Sequence, residues 1–145
     1  MHAKPVRSAL RTALATAGFC LLFGCAPPPP LLGLPGGNLK SAREACNAQY
    51  PQRIGNFLPH AQCVNDAVER YAMASEPYPD LIRLQEDIRA SLSGKIDRRR
   101  ITPQTGARRM AEADRLVEQA RRERGAGADK AASRRLATLN SMLRE

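Results

Sequence analysis

After residue 38 the apolar stripes of this chain recur at intervals of three and four, and no segment sustains an alternation of two. Leu81, Leu84, Ile88, Leu92 and Ile96 give the clearest case. That spacing puts side chains on one face of a helix, whereas a strand needs an apolar residue at every second position. The pattern therefore restricts the fold to helices packed on helices.

Capping and breaking residues divide the pattern into segments. Asn38 is placed to cap a first helix from Leu39 to about Tyr50, which Pro51, Gly55 and Asn56 break. Pro59 suits the first turn of a second helix, running to about Met73 with Val64, Ala67, Val68 and Tyr71 on its stripe. The run 76–79, Glu-Pro-Tyr-Pro, breaks the chain again, and Asp80 is expected to cap the third helix, with Gly94 weakening its last turns. Thr102 followed by Pro103 is a strong start signal for a fourth helix to about Arg124, with Met110, Ala113, Leu116, Val117 and Ala120 facing inward. Gly125 and Gly127 end it, and Asp129 is expected to cap a last helix carrying Leu136, Leu139, Met142 and Leu143. Short links favour antiparallel neighbours, with a hairpin around Lys95 to Ile101. The expected fold is all-α: a small antiparallel bundle of four to five helices over residues 39–145. Its core is thin, because the sequence has no Trp and only three Phe and three Tyr. A small domain of that kind needs a staple.

The first residues read differently. Residues 1–11 are basic, with Lys4, Arg7 and Arg11 and no acid, and residues 12–23 are short and apolar. This is the charged start and apolar run of a secretory signal, and about a dozen apolar residues fall short of the roughly 20 that span a bilayer. Four prolines at 27–30, then Gly33, Pro35, Gly36 and Gly37, form a spacer that is extended first and pliant afterwards. Of the net charge of +9, the part from Cys25 onward carries +6, nearly all of it arginine over acid. Such an excess suits anionic partners.

The apolar run ends Leu22, Phe23, Gly24, Cys25, which resembles the lipobox of bacterial lipoproteins. The resemblance covers the leader alone. It implies removal of residues 1–24, a diacylglycerol thioether and an N-acyl chain on Cys25, and a lipidated tether over 25–38. Ala26 stands where enteric lipoproteins held at the inner membrane have Asp, so the implied location is the periplasmic face of the outer membrane.

Two cysteines remain after that processing. A secretory signal leads to an oxidising compartment, and Cys46 late in the first helix and Cys63 early in the second lie where antiparallel packing brings them together. A Cys46–Cys63 disulfide is therefore expected. A metal site from Cys46, His60 and Cys63 would lack a fourth ligand, and no Cys-x-x-Cys is present.

Motifs for catalysis fail one by one. Residues 125–130 lack the spacing of a phosphate loop and no strand precedes them. Glu86 and Asp87 are helix neighbours that point apart. His60 has no evident triad partners. No catalytic or metal-binding residue is assigned, no cofactor is expected beyond the acyl groups on Cys25, and the chain is read as no enzyme. The basic cluster Arg98, Arg99, Arg100, Arg108, Arg109, Arg121 and Arg122 is the one surface feature that points to a contact. Nucleic acid does not suit it, since no aromatic platform accompanies the arginines.

The stretches Cys-Val-Asn-Asp-Ala at 63–67, Tyr-Pro-Asp-Leu at 78–81 and Ile-Thr-Pro at 101–103 resemble small, mostly helical lipoproteins of Gram-negative bacteria. That resemblance implies no activity. A fainter architectural similarity links the Cys46–Cys63 hairpin to small periplasmic lysozyme-inhibitor domains. The expected function is a lipid-anchored, non-enzymatic binding or structural adaptor in the periplasm, held to the membrane and contacting a protein or an anionic envelope polymer. The alternative is a periplasmic inhibitor of an envelope hydrolase.

Overall fold

The computed structural model describes residues 37–144, which lie in one compact unit of five α-helices. The leader 1–24, Cys25 and residues 26–36 of the tether lie outside the described residues. No strand occurs among the described residues, and no helix there is long and apolar enough to cross a membrane.

Helix α1 runs Leu39–Gln49 and opens on a capping box. The Asn38 side chain accepts the Ser41 N–H at 3.0 Å, and the Ser41 hydroxyl accepts the Asn38 N–H at 3.1 Å. Two of the helix's unpaired amides are thus satisfied by local sequence.

Helix α2, Phe57–Tyr71, starts two residues before Pro59. Asn56 makes no side-chain cap, and its amide donates instead to the Pro51 carbonyl. The cap comes from a distant carboxylate. Asp97, the last residue of α3, accepts N–H groups from Gly55 at 2.7 Å, Phe57 at 3.2 Å and Leu58 at 2.8 Å. An anion there also faces the positive end of the helix dipole. At its other end α2 stops at Tyr71, two residues short of the expected Met73, and a 3-10 turn, Met73–Ser75, precedes the 76–79 break.

Helix α3, Pro79–Asp97, corrects the expected cap. Tyr78 stands at the cap position without a side-chain hydrogen bond, and Asp80 lies inside the first turn. The Asp80 carboxylate is taken up by Arg124, which meets it through both guanidinium tips at 2.7 and 2.6 Å. That pairing holds the Asp80 carboxyl below its ordinary pKa. Helix α4, Pro103–Gly125, begins as expected, with the Thr102 hydroxyl accepting the Thr105 N–H at 3.1 Å. Helix α5, Asp129–Arg144, also corrects its cap: the Ala128 carbonyl accepts the Ala132 N–H, so Asp129 is already helical.

Neighbours pack antiparallel: α2 on α3, α3 on α4, α4 on α5, with α5 also against α3. The main core joins α3, α4 and α5 through Leu81, Ile88, Leu92, Leu116, Val117 and Leu139, with Ala113 and Ala120 letting the backbones close. A second, smaller cluster holds α1 to α2, and it consists of Cys46, Cys63 and Val64 with Tyr50 against them. Cys46 and Cys63 are joined by a disulfide, with Cα atoms 5.8 Å apart. Closing a loop of 17 residues is worth about 3 kcal/mol in the chain-entropy account. The sequence pattern did not foresee Gly106. A Cβ there would lie 2.5 Å from Cδ1 and 3.1 Å from Cγ1 of Ile96, which is itself buried. This is where α3 and α4 approach most tightly near their turn.

Two predictions follow from this packing. Gly106→Ala should cost roughly 1–3 kcal/mol through overpacking. Gly94→Ala, whose Cβ would meet only the mobile end of Arg98, should be neutral or stabilising by up to about 1 kcal/mol. Equal effects on the denaturation midpoint of the full chain would contradict the close approach. The second concerns Glu86, which is 6% exposed, with Oε1 lacking a partner. Burial, helped by Glu69, pushes its carboxyl above the ordinary value. A raised folded-state pKa makes the folded protein bind more protons, so stability falls as pH climbs from about 4.3 towards that raised value. Glu86→Gln should therefore raise the melting temperature at pH 7 and leave it unchanged near pH 4. A gain of the same size at both pH values would refute the buried-charge account.

Candidate functional site

The α3–α4 turn carries the densest charge, and its backbone is closed in an unusual way. The Lys95 carbonyl accepts the Arg100 N–H at 2.8 Å, and the Ile96 carbonyl accepts the Arg99 N–H at 2.8 Å. This pattern satisfies the last carbonyls of a helix but needs the first of the two donor residues to be left-handed. Arg99 is that residue, with φ of +56°. The end of α4 is closed the same way, with Glu123 accepting from Ala128 and Arg124 from Gly127, and there the left-handed residue is glycine at φ +72°. A side chain in this conformation costs roughly 1–2 kcal/mol, which glycine avoids. One turn uses the residue its backbone favours. The other carries an arginine against that preference.

Asp97 brings a second segment to the same end. Its bonds to Gly55, Phe57 and Leu58 dock the 51–56 loop beside the turn, which places Arg53 and Ile54 near Arg98, Arg99 and Arg100. All five are exposed, and Ile54, at 44%, is the one large apolar side chain so exposed among the described residues. Asp97 is the only acid in residues 88–111, and none occurs in residues 45–65. Its carboxylate is already turned towards three amides of α2. The end of the bundle where α2 begins and α3 turns into α4 is thus a positive surface around one apolar residue.

The remaining arginines of the cluster do not all join it. Arg108 lies one turn into α4, its guanidinium 3.4 Å from the Thr105 hydroxyl, and Arg109 follows it, half-buried. Arg121 and Arg122 lie near the other end of the helix. At 1.5 Å per residue, 18 residues separate positions 103 and 121 by about 27 Å. Both are engaged locally: Arg121 pairs with Glu76 at 2.9 Å and Arg122 with Glu118 at 3.1 Å. The seven arginines form two groups, and in the first Arg98, Arg99, Arg100 and Arg108 are exposed with little acid nearby in sequence.

His60 and the cysteines do not make a metal centre. The two sulfurs are bonded to each other, and the His60 Nε2 lies 2.7 Å from the Asn47 side-chain oxygen. Burial, helped by the charge of Arg89, lowers the His60 pKa. Among the described residues no group of three or more His, Cys, Asp or Glu is placed to hold a metal ion. Cys25, the expected lipid site, lies outside the described residues. Sequence reasoning missed Arg53, Ile54 and Asp97. The Gly55-Asn56 pair marks a turn, but nothing local says that it docks on a residue 42 positions away.

Comparison of the chain with known protein families, with curated proteins and with solved structures finds no match.

Proposed function

We infer that this chain is a lipid-anchored, non-enzymatic module of the bacterial envelope that contacts an anionic partner through the basic end of its bundle. The anchor is the acylated Cys25, and the proposed location is the periplasmic face of the outer membrane. The observation that carries the contact is Arg99. Its backbone conformation favours glycine, its side chain is exposed, and Arg98 and Arg100 flank it. Strained residues that persist on a surface point to a role for the side chain itself. Exposed arginines without acid close by steer anionic partners and set a salt-dependent association rate. Ile54, exposed on the loop that docks on Asp97, adds one apolar contact beside these arginines. An anionic polymer or an acidic protein surface of the envelope fits this chemistry.

The test uses Arg99→Gly in the full chain, with Arg98→Ala and Arg100→Ala added in a second variant. Arg99→Gly should stabilise the fold by about 1 kcal/mol, a rise in melting temperature of roughly 4–8 °C for a domain of this size. The triple variant should lose roughly tenfold in apparent affinity for purified envelope fractions at low salt. A triple variant that cosediments as well as the parent would overturn the contact. Inhibition of a muramidase that survives the triple change would favour the hydrolase-inhibitor reading.

A further inference from the structure

A second surface lies on the opposite side of the disulfide from the basic end. Helix α1 packs on α2 rather than on α3. That leaves a groove between α1 and α3, floored by α2 and bounded at one end by α4, of about 260 Å³. Three arginines from three helices reach it: Arg43 of α1, Arg89 of α3 and Arg121 of α4. Leu39, Val68 and Ile82 give it apolar walls.

The charges in the groove are not balanced. Arg121 is paired with Glu76 at 2.9 Å, and Glu76 also accepts the Tyr78 N–H at 3.3 Å, so those two groups neutralise each other. Arg89 donates to the neutral side chain of Asn65, which is fixed in turn by the Glu86 carbonyl at 3.1 Å. No carboxylate lies within ion-pair distance of Arg89 or Arg43 among the described residues. The two guanidiniums repel each other across the groove. Burial, with Arg43 adding to it, holds the Arg89 pKa below its ordinary value although Asp114 and Glu86 act the other way. Arg43 is exposed and Arg89 partly buried, and neither is held in an ion pair, so both guanidiniums can meet an anion in the groove.

We propose that this groove binds a phosphate monoester carrying a short apolar group, its phosphate held between Arg43 and Arg89 and its carbon chain lying on Leu39, Val68 and Ile82. Two guanidiniums without an ion pair suit a phosphate monoester, at about −1.5 to −2 near neutral pH, better than the single charge of a carboxylate. Guanidinium groups meet phosphate oxygens with two parallel N–H donors, which gives orientation as well as attraction. The volume falls just below the usual range of roughly 300–1,000 Å³ for ligand pockets, so the groove takes a small molecule or one end of a larger one. Both a soluble alkyl phosphate and the head of a lipid with a terminal phosphate carry this chemistry.

The test titrates the full chain, in non-ionic detergent, with butyl phosphate, butyrate, butanol and inorganic phosphate by calorimetry. Butyl phosphate should bind saturably with a dissociation constant below about 1 mM and more tightly than the other three. Arg43→Ala should weaken it by about tenfold, and Arg89→Lys, which keeps the charge but loses the fork, should weaken it too. The variant lacking Arg98, Arg99 and Arg100 should bind it unchanged, which separates this groove from the basic end. Thermal melts of each variant confirm folding. Vesicles containing phosphatidic acid supply the other arm. Retention that butyl phosphate competes away and Arg43→Ala reduces supports a lipid source for the same site, and no retention beside tight butyl phosphate binding supports a soluble one. The proposal is overturned by absence of saturable binding, by equal binding to Arg43→Ala, by butyrate binding as tightly, or by vesicle retention that only the basic-end variant removes.

Discussion

One covalent bond decides how much of this molecule is a structure at all. The disulfide between Cys46 and Cys63 is the centre of the small cluster that holds α1 to α2, and its other members are only Val64 and Tyr50. Eleven residues of α1 could not stay helical alone, because isolated helices of that length are marginal in water. The main core lies across α3, α4 and α5 and gives α1 no direct support. Both candidate surfaces inherit this dependence. Helix α1 supplies Arg43 and Leu39 to the groove, and the loop that the disulfide closes supplies Arg53 and Ile54 to the basic end. Without the bond each surface loses one wall.

The basic end shows how a fold can concentrate charge without paying for it in ion pairs. Asp97 sits beside three arginines in sequence, yet its carboxylate is committed to the amides that begin α2. It serves as a cap and as a clamp between two turns, so it is not available to neutralise its neighbours. The far end of α4 behaves in the opposite way. Arg124 is locked on Asp80 and lies 5.6 Å from the Tyr78 ring centre, and Arg121 is locked on Glu76. Arginines at one end of the helix hold the bundle together. At the other end, Arg98, Arg99 and Arg100 of the preceding turn are exposed.

What could be read from the sequence was what is decided locally. Helix α4 was legible throughout, since Thr102, Pro103 and the stripe from Ala113 to Ala120 all act within a few residues. The same holds for the Asn38 cap of α1, and the disulfide followed from compartment and spacing. The starts of α2, α3 and α5 are not decided by the residue next to them. The sequence offers Pro59, Asp80 and Asp129, whereas Asp97 caps α2 over some forty positions, Asp80 is claimed by Arg124, and the backbone of Ala128 opens α5. The arginine cluster was visible as composition, but its division into two ends depends on helix length and on partners from other helices. The groove was not visible at all, because Arg43, Arg89 and Arg121 are joined only by tertiary packing. The strain at Arg99 had a sequence signature only in hindsight: a helix stop without glycine.

A bond between Cys46 and Cys63 suits an oxidising compartment; under the proposed function a leader over residues 1–24 would supply the route there, and an acylated Cys25 would keep the bundle at a membrane surface where anionic partners are abundant. The most direct test is the intact mass of the protein purified from its own membranes. The account predicts a chain that begins at Cys25, carries the diacylglycerol and N-acyl groups, and is lighter by two hydrogen atoms than its reduced form. A chain that retains residues 1–24, has no acyl groups and keeps free thiols at Cys46 and Cys63 would contradict it.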